Sequence, residues 1–345
     1  MKSKVIGFVL ILFFSVNSSA FAQRLSSAGI SKVGTTVAQF LKIDVSARAI
    51  GMGGSFIAIS NDVSAIYSYP SGLARINGYE AMFTHTNWLG DTQYDFGAMS
   101  FNMGSAGALG IMVASFSSGD MAVTTVENPD GTGELFNTQD ILIGLSYARN
   151  LTDNFTIGFS GKYISQKLWH MTASTLALDV GLLFNTPFWG VNIGASIRNF
   201  GPNMQLSGRD TKFARDPDNR NTGNVDVVNA EYEMQQYPLP LYFQVGLAKT
   251  FQLNDDNALT LALDAVTPND NFEAVNGGFE YAWNGSVFLR AGYKSLFQQD
   301  SEEGMTAGIG FNLRMEGSTK IQIDYAYAGY GRFDNVQRFS LLMHF

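Results

Sequence analysis

The stretch Phe155–Tyr163, FTIGFSGKY, alternates between two kinds of side chain. Large apolar residues occupy positions 155, 157, 159 and 163, whereas small or polar residues and one lysine occupy positions 156, 158, 160 and 162. Because successive side chains of a β-strand point to opposite faces, the pattern predicts a strand with one apolar face and one small or polar face.

The same alternation recurs in TLALDVGLLF (175–184), in KIQIDYAYAG (320–329) and along most of the chain. Turns rich in Gly, Asn, Asp and Pro separate the segments, as expected between strands. About fourteen such segments follow one another, at 80–89, 94–103, 106–117, 138–150, 154–168, 172–185, 189–200, 240–252, 257–268, 272–283, 286–297, 304–315, 319–331 and 335–345.

Composition indicates that these strands face lipid. Hydrophobic residues make up 46% of the chain and charged residues only 15%, against about 25% charge in soluble domains. An even number of alternating strands of this length is typical of an outer-membrane barrel, which must close because unpaired backbone groups are costly in a bilayer. The sequence therefore predicts an all-β fold, an antiparallel barrel of about 14 strands. A soluble β-sandwich is the alternative.

Connection lengths and tryptophans agree with a barrel. Every second connection is short, whereas the others include the longest, about 40 residues from Gly201 to Pro240. Short periplasmic turns and long external loops have this arrangement. The four tryptophans, Trp88, Trp169, Trp189 and Trp283, lie where strands meet turns, so we expect them at the membrane interfaces.

Charged residues fall mostly on the small, polar face of the strands. A charge facing the middle of the bilayer would cost about 2–4 kcal/mol for Arg or Lys, so these side chains are expected to face the lumen. Opposite charges on neighbouring strands predict salt-bridge ladders: Glu280 with Arg290, Asp179 with Lys162, and Asp324 between Arg314 and Arg338. The predicted lumen ladder comprises Lys162, Asp179, Asp264, Glu280, Arg290, Arg314, Asp324 and Arg338. Lys249 is an exception: it falls on the apolar face of its strand, near the strand end.

The two ends of the chain resemble a signal for export and a signal for barrel assembly. Residues 1–22 combine Lys2 and Lys4, the apolar run VIGFVLILFFSV and small residues before Gln23, which is typical of a secretory signal peptide. A membrane anchor is the alternative. The final strand, RFSLLMHF (338–345), ends in an aromatic residue and resembles the signal that barrel-assembly machinery recognises. We therefore expect the protein in the bacterial outer membrane, in contact with its lipid. The net charge of −8 argues against nucleic acid as a partner.

Residues 23–79 precede the barrel strands and are too irregular to form wall strands. They contain GMGGSFIAISNDVSAIYSYPSGLA (51–74), whose glycines suggest a phosphate-binding loop but lack its spacing and its βαβ context. The segment is apolar, and we expect it to fold into the lumen as a plug or hatch, with 80–345 forming the barrel. An arm beneath the barrel is the alternative. The expected plug residues are Gly51, Gly53, Gly54, Asp62, Tyr69, Pro70 and Gly72.

Residues 34–76 resemble the amino-terminal signature of the PorV/PorQ family of outer-membrane proteins, which is related to FadL-like transporters of hydrophobic compounds. The matching elements are Phe40-Leu41-Lys42-Ile43, Ala47-Arg48-Ala49, Gly51-Met52-Gly53-Gly54, Asp62 and Gly72-Leu73-Ala74, and FLRAGYK (288–294) is also similar. The chain departs from the family pattern at Tyr69-Pro70-Ser71, where Asn usually precedes the proline.

Motifs for catalysis or for a cofactor are missing from the sequence. His85, His170 and His344 are too far apart for a metal site, and no GxSxG, P-loop or HExxH motif occurs. The loop 216–231 resembles a calcium loop, but Arg220 occupies a ligand position and Gly223 comes too late. No enzymatic activity, metal or cofactor is therefore predicted, although a barrel hydrolase remains an alternative.

Two functions remain. The resemblance implies an accessory barrel of type IX protein secretion that binds a large translocon barrel and exported cargo through its external loops. The alternative is a FadL-like transporter in which a hydrophobic ligand enters the lumen and leaves sideways or past the plug. Inward glycines, including Gly158, Gly181, Gly278 and Gly292, leave room that a plug or a ligand must fill. A charged lumen favours the first function.

Overall fold

The structure, a computed structural model, describes residues 32–217, 220, 227–315 and 319–345. The expected signal peptide 1–22 and part of the loop 216–231 lie outside these ranges. Fourteen long strands form the wall: β1 Tyr79–Asn87, β2 Thr92–Asn102, β3 Ala108–Ser118, β4 Thr138–Asn150, β5 Phe155–Leu168, β6 Met171–Asn185, β7 Val191–Phe200, β8 Tyr242–Gln252, β9 Asn257–Pro268, β10 Ala274–Trp283, β11 Val287–Leu296, β12 Met305–Arg314, β13 Lys320–Ala328 and β14 Val336–His344.

Each wall strand pairs antiparallel with its neighbours in the chain, and β1 pairs with β14. The register between the first and last strands runs from Glu80 opposite His344 to Thr86 opposite Arg338. The sheet therefore closes into a cylinder without free edges, and the predicted fourteen-stranded antiparallel barrel is confirmed. All fourteen predicted segments are strands, with boundaries that move by a few residues.

The two ends of the barrel differ. Turns of three to five residues join β2–β3, β4–β5, β6–β7, β8–β9, β10–β11 and β12–β13 at one end, where Tyr79 and Phe345 also meet. The connections at the other end vary more in length, from two residues at 169–170 to the long stretches 119–137 and 201–241. We call these the short-turn end and the loop end. They correspond to the periplasmic and external ends of outer-membrane barrels. Among the described residues, no helix is both long and apolar enough to cross a membrane.

Alternation along the strands separates the two faces as predicted. On β5, Phe159 and Tyr163 are exposed on the outside, whereas Ser160 and Lys162 are buried inside. Large apolar side chains cover the outer face around the whole wall, for example Phe83, Ile111, Leu145, Leu263 and Phe339. The outward exceptions lie near strand ends, where His85 and Asp95 of the β1–β2 pair lie 2.7 Å apart. Charge at these depths can reach the interface.

Two bulges interrupt the ladder at the loop end, one between β6 and β7 and the other between β10 and β11. On β7, Arg198 and Asn199 stand opposite the single residue Asp179 of β6, and Asn199 has a φ of 62°. The Asp179 carboxylate accepts the backbone N–H of Asn199 at 2.7 Å, so a wall side chain replaces the missing ladder bond. Past the bulge, Leu178 still pairs with Phe200, and residues 171–177 at the loop end of β6 have no partner on β7. Met171 and Thr172 pair instead with Gly208 and Ser207 of the long connection.

Residues 36–76, here called the luminal segment, form short elements inside the wall. Two α-helical turns, α1 Ala47–Gly51 and α2 Ala65–Ser68, follow a 3₁₀ turn at Gln39–Lys42 and precede another at Pro70–Arg75. Ser46 accepts from the Ala49 N–H at the start of α1, and Pro70 begins the last turn, where its missing N–H costs nothing. Nearly all of the segment is buried, although it makes no strand of the sheet.

Contacts with opposite sides of the wall place this segment in the lumen. Its Ala47 N–H donates to Ser340 of β14, and its Val63 N–H donates to Glu80 of β1. Across the lumen, Ser196 of β7 donates to the Ser68 carbonyl. A segment bonded to opposing walls lies between them. Its apolar side chains join inward wall residues in two buried clusters, one around Tyr67 and Phe96 and one around Met52 and Ile57.

Inward glycines of the wall let the luminal segment approach the wall backbone. A methyl group on Gly158 would overlap the backbone between Pro70 and Ser71, and one on Gly278 would overlap the Met52 carbonyl. Gly292 lies equally close to Gly53. The room that these glycines leave is filled by the chain itself, since packing at protein density admits no such gap.

Tryptophan placement corrects one expectation. Trp189 and Trp283 are exposed near turns at the short-turn end, as expected for an interface. Trp88 instead follows the inward parity of β1: it packs edge-to-face on Tyr330 and against the guanidinium of Arg338. The prediction that Trp88 anchors the barrel at a membrane interface is therefore wrong, because a residue at a strand end can take either face.

Candidate functional site

An ion-pair chain crosses from the luminal segment into the wall. The Arg48 guanidinium of α1 contacts both carboxylate oxygens of Glu280 at 2.9 Å. Arg290 lies 2.6 Å from the same carboxylate and 2.5 Å from Asp324. All four side chains are largely buried, and a buried pair of this kind holds its partners strongly because loss of one partner leaves an uncompensated charge. The chain therefore locks α1 against β10 and β11.

The predicted partners of Asp324 are wrong. Arg314 is exposed at the short-turn end of β12, one strand away from the carboxylate it was expected to pair with. Arg338 is buried and donates from Nε to Thr86 of β1. Asp324 instead binds Arg290, two strands away, because Gly310 of the strand between them has no side chain to block the contact.

Asp264 belongs to the predicted ladder of opposite charges, but its partners are backbone N–H groups and a neutral amide. Its carboxylate accepts the backbone N–H groups of Phe56 and Ile57 at 3.0 and 3.2 Å, and the amide of Gln244 at 2.8 Å. Glu80 of β1 similarly accepts the Val63 N–H at 2.8 Å. These wall carboxylates bind the backbone of the luminal segment, which contributes no strand partner of its own.

Lys162 and Asp179 form the second predicted ion pair, 2.5 Å apart and completely buried. Lys162 also donates to the Tyr67 carbonyl at 2.8 Å, and Asp179 supports the bulge at Asn199. This pair connects the luminal segment with the irregular seam between β6 and β7.

The predicted plug residues are all in the luminal segment and all buried. Gly53 has a φ of 67°, and a side chain there would strike the β11 backbone at Tyr293. Asp62 accepts from Arg48 and from the Ser64 N–H, and Tyr69 donates to Gln244 of β8. Gly72 lies where a methyl group would meet Ala65 and Ser60. Gly51 and Gly54 face β12 and β10, and Pro70 faces β5.

Two neighbouring cavities lie at the loop end. The polar cavity, of about 480 Å³, has Lys42, Asp44, Arg198, Tyr242 and Lys294 in its lining. Arg198 is buried between the rings of Tyr69 and Tyr242, 5.6 and 4.8 Å from their centres.

The aromatic cavity, of about 450 Å³, is lined by Phe40, Trp88, Phe116 and Tyr330, together with Asp140 and other residues. Lys42, Lys294 and Glu303 line both cavities, so the two adjoin. A concave site with several rings and a few polar groups is typical of small-molecule binding.

A loop-end contact ties the start of the luminal segment to the β9–β10 connection. Asp270 accepts from Thr36 at 2.6 Å and lies 2.5 Å from the Lys42 ammonium. Burial alone would raise the pKa of Asp270, but the hydrogen bonds from Lys42, Thr36 and Gln39 outweigh it and lower that pKa below its usual value. The carboxylate therefore stays charged and holds the segment.

A depression of about 800 Å³ on the lipid side accompanies the β6–β7 seam. It is lined by outward residues of β4 to β7, including Leu145, Tyr163 and Phe200, and by Gly201 and Pro202 of the long connection. Arg198 of the bulge lines the polar cavity on the inner side. The irregular seam thus has a cavity on its luminal side and an apolar hollow on its lipid side.

Sequence reasoning missed the luminal partners of the wall charges. Lys42 and Arg48 were noted only as parts of the family signature, and Asp44 and Asp270 were not singled out. Charged residues within an apolar stretch that enters a barrel are a usable signal, because each needs a buried partner. Within the described part of the chain, no group of three or more His, Asp or Glu side chains is placed to hold a metal ion.

The wall and its interior define a class of protein: a closed, fourteen-stranded barrel of the outer-membrane type with its own amino-terminal segment in the lumen. The chain matches no protein-family model and no curated protein. Solved structures do share its fold. The toluene transporter TodX of Pseudomonas putida superposes with a TM-score of 0.51 at 11% identity, covering 86% of this chain and 96% of TodX.

The monoaromatic hydrocarbon channel CymD also has a TM-score of 0.51, at 10% identity, and covers 87% of this chain and 96% of CymD. A FadL homologue of Pseudomonas aeruginosa gives a TM-score of 0.49 at 13% identity, covering 87% of this chain and 97% of the homologue. These likenesses concern the fold. No similarity to the PorV/PorQ family appears among them.

Proposed function

We propose that the protein is an outer-membrane transporter of hydrophobic small molecules, placed in that membrane by its signal peptide. The observation that carries the proposal is the ring-lined cavity at the loop end of a barrel that shares the fold of TodX and CymD. The luminal segment serves as the plug, because it fills the lumen beneath this cavity and blocks a simple water-filled pore.

The route that we propose runs sideways through the β6–β7 seam. The middle of the lumen is filled by side chains without exposed surface, such as Met52, Ile57 and Leu73. At the seam the backbone ladder is already interrupted, and both sides have a cavity. An apolar ligand that leaves there passes directly into lipid and does not cross the ion pairs of Arg48, Glu280 and Arg290, although it passes Arg198 and the Lys162–Asp179 pair at the seam.

Uptake in reconstituted vesicles tests this function. The purified full chain is placed in liposomes, and entry of radiolabelled toluene into an internal hydrophobic trap is followed. We expect faster entry than in protein-free liposomes, together with low ion conductance. Entry at the protein-free rate would refute the transporter function.

A second function has one specific observation in its favour. The connection 201–241 extends from the loop end and exposes apolar side chains such as Val227, Tyr232 and Tyr237, which suits a protein partner. As an accessory barrel of type IX secretion, the protein would bind a large translocon barrel and exported cargo there.

Mass spectrometry of the protein purified from its native membrane separates the two functions. Stoichiometric recovery of a large barrel and of secreted proteins would support the secretion role. Bound hydrocarbons without protein partners would support transport.

A further inference from the structure

The aromatic cavity contains four rings from four different parts of the chain. Phe40 comes from the luminal segment, Trp88 follows β1, Phe116 lies on β3 and Tyr330 follows β13. Trp88 and Tyr330 pack edge-to-face with centres 5.3 Å apart. Ring faces attract cations as well as apolar groups, so this lining suits a ring compound and tolerates a positive charge.

Asp140 of β4 is the cavity's unpaired carboxylate. Its Oδ2 accepts from Gln166 of β5 at 2.9 Å, and Gln166 in turn accepts the Ala38 N–H of the luminal segment at 3.0 Å. No Lys, Arg or His nitrogen in the described ranges lies within 4.0 Å of this carboxylate. Asp140 is thus held in position by a neutral amide while its charge has no partner.

Lys42 and Lys294, the positive groups in the lining of the cavity, are already engaged. Lys42 lies 2.5 Å from Asp270, and Lys294 lies 3.2 Å from Asp44 and 2.9 Å from Glu303. Arg338 lies behind the Trp88 ring and outside the lining; its Nε donates to Thr86, and its two terminal nitrogens have no hydrogen-bond partner among the described residues. The cavity therefore presents an unmatched negative charge beside aromatic faces.

We propose that the aromatic cavity selects ring compounds that carry a protonated amine. The ring would pack among Trp88, Phe116 and Tyr330, and the ammonium would donate to the free oxygen of Asp140. A neutral hydrocarbon of the same size would desolvate that carboxylate without a replacement partner, and a carboxylate ligand would be repelled by it. This inference rests on the proposed transport function and names the ligands that its entry cavity prefers.

Three probes of nearly equal size test the preference: benzylammonium, toluene and benzoate. Their binding to the full chain in detergent is measured at pH 7 by isothermal titration and by saturation-transfer NMR. We expect benzylammonium to bind at least about tenfold more tightly than the other two, since a hydrogen bond between two charged groups is stronger than one between neutral groups.

Two variants and a control locate the effect. Asp140→Asn keeps an acceptor for Gln166 and should abolish the difference between benzylammonium and toluene. Trp88→Leu should weaken all three probes. The control Asp153→Asn removes an exposed carboxylate from the β4–β5 turn and should keep the preference. Heat-modified mobility on gels verifies that each variant is folded.

Equal binding of the three probes, tighter binding of benzoate, or a preference that survives Asp140→Asn would overturn the inference. Failure of every probe to bind would do so as well. The transport function is judged separately, because toluene entry into vesicles without any preference for benzylammonium would contradict this inference alone.

Discussion

At the scale of single residues, the interior depends on how close two backbones can come. The luminal segment touches wall positions that carry no side chain, and Met52 lies against Gly278 in this way. Glycine is a poor strand former, so each wall glycine lowers the intrinsic stability of its strand. Their cost is offset by the packing that they permit, so each close contact should be sensitive to the smallest added side chain.

We predict that Gly278→Val displaces the luminal segment and destabilises the barrel by about 1–3 kcal/mol, as overpacking of a dense interior does. Guanidinium titration in detergent measures the stability, and planar-bilayer recordings should show new ion conductance. Gly161→Val is the matched control, because Gly161 faces outward and has open space around it. Equal effects of the two changes would contradict this account of the interior.

Asp270 gives the start of the luminal segment a dependence on pH. Its pKa is lowered in the folded protein, so its ionised form contributes stability that is complete above the ordinary Asp value of about 3.9 and is lost as pH falls further. We predict that the amides of residues 36–42 lose protection below about pH 4, measured by mass spectrometry as the exchange rate relative to the intrinsic rate at each pH. In Asp270→Asn the exchange should already be fast at pH 7. An unchanged exchange rate in that variant would show that the contact does not hold the segment.

At the scale of elements, two seams of the wall carry bulges, and the β6–β7 seam is the one at which the strand pairing also ends early. Most neighbouring strands exchange a continuous ladder, whereas β6 and β7 separate at the Asn199 bulge and are bridged by side chains and by the long connection. A bulge bends a strand and ends local pairing. This seam is therefore the place where the wall can open at the smallest cost in backbone hydrogen bonds.

A cross-link distinguishes this seam from a moving plug. The chain has no cysteine, so Ser71→Cys with Gly181→Cys introduces the sole pair. A Cβ at Gly181 would lie 2.9 Å from the Ser71 Oγ and 3.1 Å from the Ser71 backbone nitrogen, so the two positions are direct neighbours across the lumen–wall contact. We predict that toluene entry persists in the oxidised protein, and the two single variants serve as controls. Entry that stops on oxidation and returns with reductant would mean that the plug must move.

At the scale of the whole molecule, the protein is a closed cylinder that two sets of contacts stabilise. The backbone ladder closes the wall, and the luminal segment joins opposite sides of it through Arg48, Glu80, Lys162 and Asp264. Only the backbone ladder is required for a barrel in a bilayer, because backbone groups that face lipid must be paired within the wall.

We therefore predict that deletion of residues 36–76 leaves a barrel that still closes but conducts ions. Heat-modified mobility should show the folded wall, and planar-bilayer recordings should show a conductance that the full chain lacks. A variant that folds and remains as tight as the full chain would show that the luminal segment is not the barrier.

The wall and the interior differ in how far they can be read from the sequence. Alternation along FTIGFSGKY and its counterparts determined the fourteen strands, their faces and the closed cylinder, because a strand's two faces are fixed by neighbours in sequence and a bilayer permits no open edge. Contacts within the lumen were decided by the tertiary structure. Arg48 and Glu280 are separated by more than two hundred residues, and Asp324 reaches Arg290 over a strand that presents glycine. Such partners depend on which side chains meet across the enclosed space. A pattern of neighbouring residues in the sequence does not contain that information.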